Sequence, residues 1–253
     1  MKTAYRTLML FEAFAELGRP ASLSELSRHL SIPVSSCLGL LRALEKRNYL
    51  YTVKARGTYY PTKRMLQVAR AIAANDLLSA RVSNVLQELR DTTGETVILA
   101  TRRDLHVLYL DVYESSHNIR YVAQIGEVRN LHSSSLGKAM LSMMTKGERA
   151  GLLARLPYNR LTSKTLTTAK ALEADIVARQ ACGWYPNFGE SVSDLYAIAC
   201  PIVVNGDIYA VAVIGPKIRI VTGCDSIVAK LMDACKAISD PVGQVRPLLK
   251  ERA

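Results

Sequence analysis

The chain has 253 residues, of which 49% are hydrophobic and 22% charged, a composition typical of a globular protein long enough for two domains. Its five cysteines are odd in number and form no CxxC pair, which argues against a disulfide framework or a zinc site. The longest apolar stretch, 195–204, is far shorter than the roughly 20 residues that a membrane-spanning helix needs. Glu12 and Glu16 interrupt the apolar N-terminus, unlike a signal peptide, so we expect a cytoplasmic protein with no membrane partner.

The net charge of +11 is concentrated at one end of the chain. Residues 1–65 contain eleven Lys and Arg but only four Glu, so +7 of the excess lies in the first quarter of the sequence. Such a concentration indicates a polyanionic partner. A basic, solvated surface with no partner is the alternative, and charge by itself does not decide between them.

Three short helices are predicted in this basic region. An apolar stripe marks the first, and Ser22 with Glu25 forms a capping box at the start of the second. A break of three residues ends with Pro33, which suits the start of the third helix at about 34–47. The residues expected on its inner face are Leu38, Leu41 and Leu44.

Two β-prone runs, 49–53 and 58–60, flank a basic tip at 54–57 and predict a hairpin. Two helices joined by a short turn and followed by a basic hairpin describe a winged helix-turn-helix, whose second helix enters the major groove of DNA. A three-helix protein-interaction module is the alternative. The residues expected to face DNA are Ser35, Arg42 and Lys46 on the third helix, with Arg56, Lys63 and Arg64 near phosphates.

The rest of the chain predicts a linker and a second domain, giving domains at 1–64, 65–90 and 91–253. The linker is expected to be one helix, or two with a break near 75–76, and coiled-coil dimerisation is left open. Hairpins and peripheral helices after Gly94 favour an α+β fold on an antiparallel sheet. The predicted strands are 96–101, 107–112, 119–124, 197–204 and 208–214, and the predicted helices are 136–144, 146–156, 169–182 and 225–239.

Two segments of the second domain have the character of sites. In the first, Ser133, Ser134 and Ser135 precede an apolar helix, so hydroxyls and free backbone amides converge in a way that suits a carboxylate. Simple capping of that helix is the alternative. The second segment, 182–216, contains an aromatic stretch expected to be a mobile loop, 184–188, followed by an apolar hairpin; its alternative is ordinary core.

The stretch LSELSRHLSIPVSSCLGLLRALEKRNYL resembles the helix-turn-helix of the IclR (isocitrate lyase regulator) family. The matching positions are Pro33, Ser35, Leu40, Leu41, Leu44 and Tyr49. Val34 and Gly39 stand where the family usually has polar residues that face DNA. The resemblance therefore leaves Ser35, Ser36 and Arg42 as the expected readers of bases.

The stretch LHSSSLGKAML and the segment 179–216 resemble the effector domain of the same family. The resemblance implies a GAF-like sensor domain, a homodimer or homotetramer, and a small organic acid as effector. Because one recognition helix reads only a few base pairs, we expect the oligomer to bind a pseudo-palindromic double-stranded operator. In the second segment the matching positions are Arg179, Gly183, Glu190, Ile198, Ala199, Pro201, Gly215 and Pro216, whereas Asp194 replaces a usual glycine.

The expected effector contacts are Ser133, Ser134, Ser135, Leu136, Gly137, Asn187, Ala197, Ala212 and Ile214. Ala197, Ala212 and Ile214 occupy positions where some family members place polar ligand contacts. This exchange favours a larger, more apolar acid, and the aromatic stretch 184–188 is expected to enclose it.

An enzyme is the main rival class. His132 beside the three serines suggests a base and a nucleophile, and Cys182 or Cys200 suggests thiol chemistry. However, the chain has no GxSxG motif, and its four histidines lack metal-binding spacing. We therefore expect a transcription regulator without cofactor, metal or catalytic residue. A GAF-like thiol or serine enzyme and a non-sensing architectural DNA-binding protein remain the alternatives.

Overall fold

The computed structural model describes residues 2–53, 55 and 57–239, which divide into two compact units between Leu77 and Leu78. The elements of the first unit are α1 (Lys2–Leu17), β1 (Ala21–Ser22), α2 (Leu23–His29), α3 (Val34–Lys46), β2 (Leu50–Val53), β3 (Thr58–Pro61) and α4 (Arg64–Ala74). The second unit follows with α5 (Leu77–Thr93), β4 (Thr96–Arg103), β5 (His106–Tyr113), β6 (Val128–Asn130), α6 (Ser135–Ser142), α7 (Lys146–Leu153), α8 (Ala169–Arg179), β7 (Tyr185–Phe188), β8 (Leu195–Val204), β9 (Asp207–Pro216), α9 (Lys217–Thr222) and α10 (Cys224–Ile238). Within these ranges no helix is both long and apolar enough for a membrane span.

In the first unit, α1, α2 and α3 enclose a small apolar core. The predicted capping box is confirmed, since the Ser22 backbone N–H donates to Glu25 Oε2 at 2.8 Å and the Glu25 N–H donates to Ser22 Oγ. Ser27 fixes the turn into α3, because its hydroxyl donates to the Ile32 carbonyl at 2.6 Å. Leu41 is buried as predicted, whereas Leu38 and Leu44 are half-buried. Cys37 and Leu40 complete the inner face.

The predicted hairpin is confirmed as β2 and β3, which pair antiparallel with Tyr51 opposite Tyr60. The short strand β1, which the sequence did not indicate, extends them to a three-stranded sheet in the order β1-β3-β2. The linker takes the second of its two predicted forms, with a break at Asn75 and Asp76 between α4 and α5.

A six-stranded antiparallel sheet organises the second unit, with strand order β6-β5-β4-β9-β8-β7. Strands β8 and β9 are buried on both faces, because α6 packs on one side and α10 on the other. Alternate residues of β8 accordingly enter two different cores: Ala197 and Ala199 face α6, whereas Ile198 and Cys200 face α10. The predicted α+β class is confirmed.

Two elements differ from the expectation. The segment 119–124 was predicted to be a strand but is not one. Side chains bind its carbonyls instead, since Thr96 Oγ1 donates to Tyr121 O at 2.8 Å and Arg219 Nη2 donates to Ile119 O at 2.9 Å. The strand that pairs with β5 beyond the β4–β5 hairpin is instead β6. Within the stretch 184–188, expected to be a loop, residues 185–188 form the edge strand β7. Pro186 is tolerated there because its missing N–H costs least at an edge.

Helix α6 lies unusually close to its surroundings, with all eight of its residues buried. The sheet beneath it presents small side chains, among them Ala199, Ala210 and Ala212. On its other side, a Cβ atom added to Gly137 would overlap the backbone carbonyl of Leu131. Glycine is therefore required at this position by packing, since neither the helix nor the backbone of Leu131 can give way.

We expect Gly137→Ala to destabilise the second unit by about 1–3 kcal/mol, because an added methyl group meets backbone in a filled space. Gly151→Ala is the matched control: it also lies in a helix, but an added Cβ has nothing within 4 Å. The control should raise stability by up to about 1 kcal/mol through helix propensity. Urea unfolding followed by the fluorescence of Trp184, the one tryptophan of the chain, measures both changes. Equal effects of the two variants would contradict the packing argument.

Candidate functional site

The outer face of α3 carries the residues predicted to read DNA. Ser35, Arg42 and Lys46 are exposed and Ser36 is half-exposed, and the helix begins after Pro33 without a side-chain cap. The first backbone N–H groups of α3 are thus open to an anion such as a phosphate. Within the described ranges neither Arg42 nor Lys46 is engaged in an ion pair.

The base of the hairpin supplies two further predicted contacts, Lys63 and Arg64, both exposed. Thr62 holds this corner, since its hydroxyl donates to the Asn48 carbonyl at 2.6 Å and accepts from the Arg64 N–H at 3.2 Å. The Arg64 guanidinium lies 5.2 Å from the centre of the Tyr49 ring, a support that sequence reasoning did not identify. The predicted contact Arg56 lies outside the described residues.

A cavity of about 310 Å³ opens in the second unit, beside the start of α6. It is lined by Tyr109, Tyr121, Val128, Arg129, Asn130, Ser133, Ser134, Ser135, Leu161, Asn187, Ser191, Val192, Leu195, Ala197 and Ile214. Strand register explains part of this wall, because Asn187 is opposite Ala197, and Ala197 is opposite Ile214. Three predicted residues from separate parts of the chain therefore form one row across β7, β8 and β9.

The three serines form the polar part of the wall. Ser133, Ser134 and Ser135 are 3%, 9% and 2% exposed, and Ser134 occupies the N-cap of α6 without a side-chain cap hydrogen bond. In the described part of the chain no hydroxyl of the three has a hydrogen-bonding partner. Three hydroxyls that line a cavity at a helix N-terminus, without a partner in the described protein, can donate to an acceptor or an anion that enters the cavity.

Asn187 also lines the cavity, but its amide is occupied by the protein. Its Nδ2 donates to the Ser133 carbonyl at 2.6 Å and to Ser191 Oγ at 3.1 Å, and its Oδ1 accepts from the Glu190 N–H at 2.8 Å. Both amide hydrogens are thereby used. The side chain holds the serine segment against the loop after β7 and leaves one acceptor position of its oxygen toward the cavity.

A buried charge cluster lies behind this wall. Lys138 of α6, 1% exposed, donates to Glu190 Oε1 at 2.5 Å and to the Pro186 carbonyl at 3.2 Å, and lies 2.8 Å from Asp175 Oδ2. Burial raises the pKa of Glu190 and the charge of Lys138 opposes that shift. The cluster fastens α6 to β7, to α8 and to the loop that contributes Ser191 and Val192.

Three predicted effector contacts are not part of the wall. Leu136 and Ala212 are buried in the core between α6 and the sheet, and Gly137 faces the backbone of Leu131. The aromatic stretch 184–188 does not enclose the cavity either: Trp184 and Phe188 pack on the opposite face of the sheet, against the core that includes α10.

The aromatic and cationic parts of the wall were missed. Tyr109 comes from β5, Arg129 and Asn130 come from β6, and Tyr121 comes from the segment mistaken for a strand. Burial raises the pKa of the Tyr109 hydroxyl, and the neighbouring Tyr121 raises it further. Arg129 Nη2 donates to the Tyr121 hydroxyl at 3.0 Å and pairs with Glu127. The basic residue four positions before Ser133 was the one available signal.

His132 is not arranged as a general base for the serines. Its Nε2 contacts the Asn159 carbonyl at 3.0 Å, and its Nδ1 has no hydrogen-bonding partner in the described structure. Burial lowers the pKa of the imidazole. In the described ranges no three His, Cys, Asp or Glu side chains are grouped as metal ligands. The geometry of this wall is that of a binding site.

Comparisons with known proteins match the two units to two domains of one family. Residues 3–54 match the IclR helix-turn-helix domain, and residues 70–240 match the domain described as bacterial transcriptional regulator IclR C-terminal. The probable transcriptional regulator SauR of Cupriavidus necator is 26% identical over 202 residues, 80% of each chain. The repressor AllR of Klebsiella pneumoniae is 25% identical over 218 residues, 85% of this chain and 80% of AllR.

The fold is also that of a solved IclR homologue from Microbacterium hydrocarbonoxydans in complex with 4-hydroxybenzoate. The two structures have a TM-score of 0.74 at 19% identity, over 96% of this chain and 98% of the homologue. The match to the C-terminal domain alone covers more than half of the sequence. The chain belongs to the IclR family of bacterial transcriptional regulators, with a helix-turn-helix domain and an effector-binding domain.

Proposed function

We propose that a small organic acid, aromatic by preference, binds in the cavity of the second unit and changes the affinity of the first unit for a double-stranded DNA operator. The observation that carries this proposal is that three serine hydroxyls without hydrogen-bonding partners in the described protein line the cavity at the start of α6. A carboxylate there would accept hydrogen bonds from the hydroxyls and from the free amides of α6. A cytoplasmic location follows from binding to chromosomal DNA.

Two observations support an aromatic body for the ligand. Tyr109, Tyr121, Leu161 and Ile214 provide flat and apolar surface beside the serines. The Microbacterium homologue, of the same fold, binds 4-hydroxybenzoate. A ligand-sized cavity also argues against a purely architectural DNA-binding protein, which would not need one.

We propose that residues 1–64 bind DNA, that residues 65–90 form the linker and that residues 91–253 bind the effector. Ligand control across these regions needs two conformations with different ligand affinities, and such coupling typically amounts to about 1–3 kcal/mol. Whether the ligand relieves repression or drives activation depends on which conformation binds the operator.

For DNA, Arg42→Ala should reduce the preference for one operator base pair, at a cost of about 1–3 kcal/mol on the best site. Lys63→Ala should weaken binding to all sequences and lower the slope of the salt dependence by about one, because it removes one phosphate contact. Fluorescence anisotropy on operator and random DNA at several salt concentrations separates these effects. If Arg42→Ala weakens both DNAs equally, Arg42 does not read a base.

We further propose a homodimer or homotetramer on a pseudo-palindromic operator, since one recognition helix reads too few base pairs for useful specificity. Helix α4 supports this proposal: none of its residues is buried, and its apolar Leu66, Val68 and Ile72 are exposed, Ile72 by 68%. Light scattering should give at least twice the mass of one chain, and footprinting should protect two half-sites. A monomer that protects a single half-site would overturn the assembly.

For the effector, calorimetry should show tighter binding of benzoate or phenylacetate than of pyruvate or glyoxylate. Ser134→Ala combined with Ser135→Ala should weaken every acid by roughly tenfold or more, because hydrogen bonds to a charged group are each worth about 1.5–3 kcal/mol. Ser226→Ala, on the exposed face of α10, is the control and should change nothing.

Ala197→Ser adds a hydroxyl to the apolar wall. It should therefore reduce the difference in affinity between aromatic and short aliphatic acids. Ala212 does not suit this test, because it lies in the core and does not line the cavity. If pyruvate binds best to the unmodified protein, or if the double serine variant binds as well as the control, this description of the site is wrong.

A further inference from the structure

The cavity has a second polar group on its wall, formed by Arg129, Tyr121 and Tyr109. It belongs to the β5 and β6 side of the sheet, whereas Asn187, Ala197 and Ile214 belong to β7, β8 and β9. Nothing in the serine site requires these three residues. Their presence on the wall therefore indicates a second contact with the ligand, an inference that rests on the proposed function of the cavity.

Hydrogen bonding within this group leaves donors for a ligand. The Tyr121 oxygen accepts from Arg129 Nη2 at 3.0 Å, so the proton of its own hydroxyl can be donated to a ligand. The guanidinium has five N–H donors and no acceptor. This part of the wall can therefore satisfy a group that accepts, and it favours one that is negatively charged.

Glu127 offsets part of the charge of Arg129 but does not line the cavity. Its carboxylate pairs with Arg129 and accepts from the Gln124 N–H at 3.1 Å, and it thereby holds the guanidinium in place. Arg129 keeps further N–H groups, because one pairing and one bond to Tyr121 do not use all five.

The two polar groups line one cavity of about 310 Å³, a volume that suits a single small molecule. Arg129 precedes Ser133 by four residues, so their Cα atoms are separated by no more than about 14 Å even with the chain fully extended. Apolar and aromatic side chains, including Val128 and Leu195, line the same cavity. The wall thus offers hydrogen-bond donors at two places and apolar surface beside them.

We propose that the effector is a dicarboxylic acid, with one carboxylate at Ser133, Ser134 and Ser135 and the other at Arg129 and Tyr121. Two donor groups on one wall recognise two acceptors on one ligand, and charge-assisted hydrogen bonds are about twice as strong as neutral ones. A monocarboxylic acid would leave one of the two groups without a partner. Arg129 and Tyr121 are then the residues that determine specificity between mono- and diacids.

The test uses the full-length protein and calorimetry with benzoate, 4-hydroxybenzoate and the three benzenedicarboxylate isomers. At least one diacid should bind tenfold or more tightly than benzoate, and more tightly than 4-hydroxybenzoate, whose second group is uncharged. Arg129→Gln and, separately, Tyr121→Phe should bring the ratio of benzoate Kd to diacid Kd down toward one. Arg120→Gln is the matched control, because Arg120 is exposed, pairs with Glu114 and does not line the cavity.

The outcomes separate the two proposals. If no acid binds the unmodified protein, the proposed function fails and this inference fails with it. If benzoate binds as tightly as every diacid, if 4-hydroxybenzoate equals the best diacid, or if Arg129→Gln leaves the ratio unchanged, the inference is wrong and the acid site stands. Should Arg129→Gln fail to fold, Tyr121→Phe decides, because it keeps the ring and removes only the hydroxyl.

Discussion

The effector-binding unit depends on one buried cation. Lys138 joins α6 to Glu190, to Asp175 and to the carbonyl of Pro186, and its own side chain is almost fully buried. Desolvating such charges costs several kcal/mol per ion, and removing one partner of a buried pair typically costs about 3–5 kcal/mol. The cluster therefore holds three separate elements in one arrangement. The serines at the start of α6 are positioned as a consequence, with their hydroxyls free for a ligand.

Local chemistry made much of the fold predictable. The capping box of Ser22 and Glu25 determines where α2 begins. Runs of β-prone residues predicted the two long hairpins, β4–β5 and β8–β9. The start of α6 was likewise marked by the three serines. Segment 119–124 was also predicted to be a strand, yet side chains rather than a neighbouring strand bind its backbone. The residue types of a segment do not show which groups will bind its backbone.

The cavity wall was only half predictable, for a related reason. Asn187, Ala197 and Ile214 were identified from their motifs, and cross-strand register brings them together. Ala212 lies two residues from Ile214 and on the same face, yet α6 covers it. Tyr109, Tyr121 and Arg129 belong to no motif, since they reach the wall through the pairing of β5 and β6 and through a connecting segment. Only the folded protein shows which residues a helix covers and which distant segments meet, so these parts of the wall could not be predicted from the sequence.

The close approach at Gly137 has a consequence for how this site can diversify. Helix α6 rests on a floor of alanines on one side and on the backbone of Leu131 on the other, so it cannot shift to suit a differently shaped molecule. We infer that the proposed serine anchor tolerates little change. New ligand preferences would then arise by substitution of cavity residues outside α6, such as Tyr121, Arg129 and Val192.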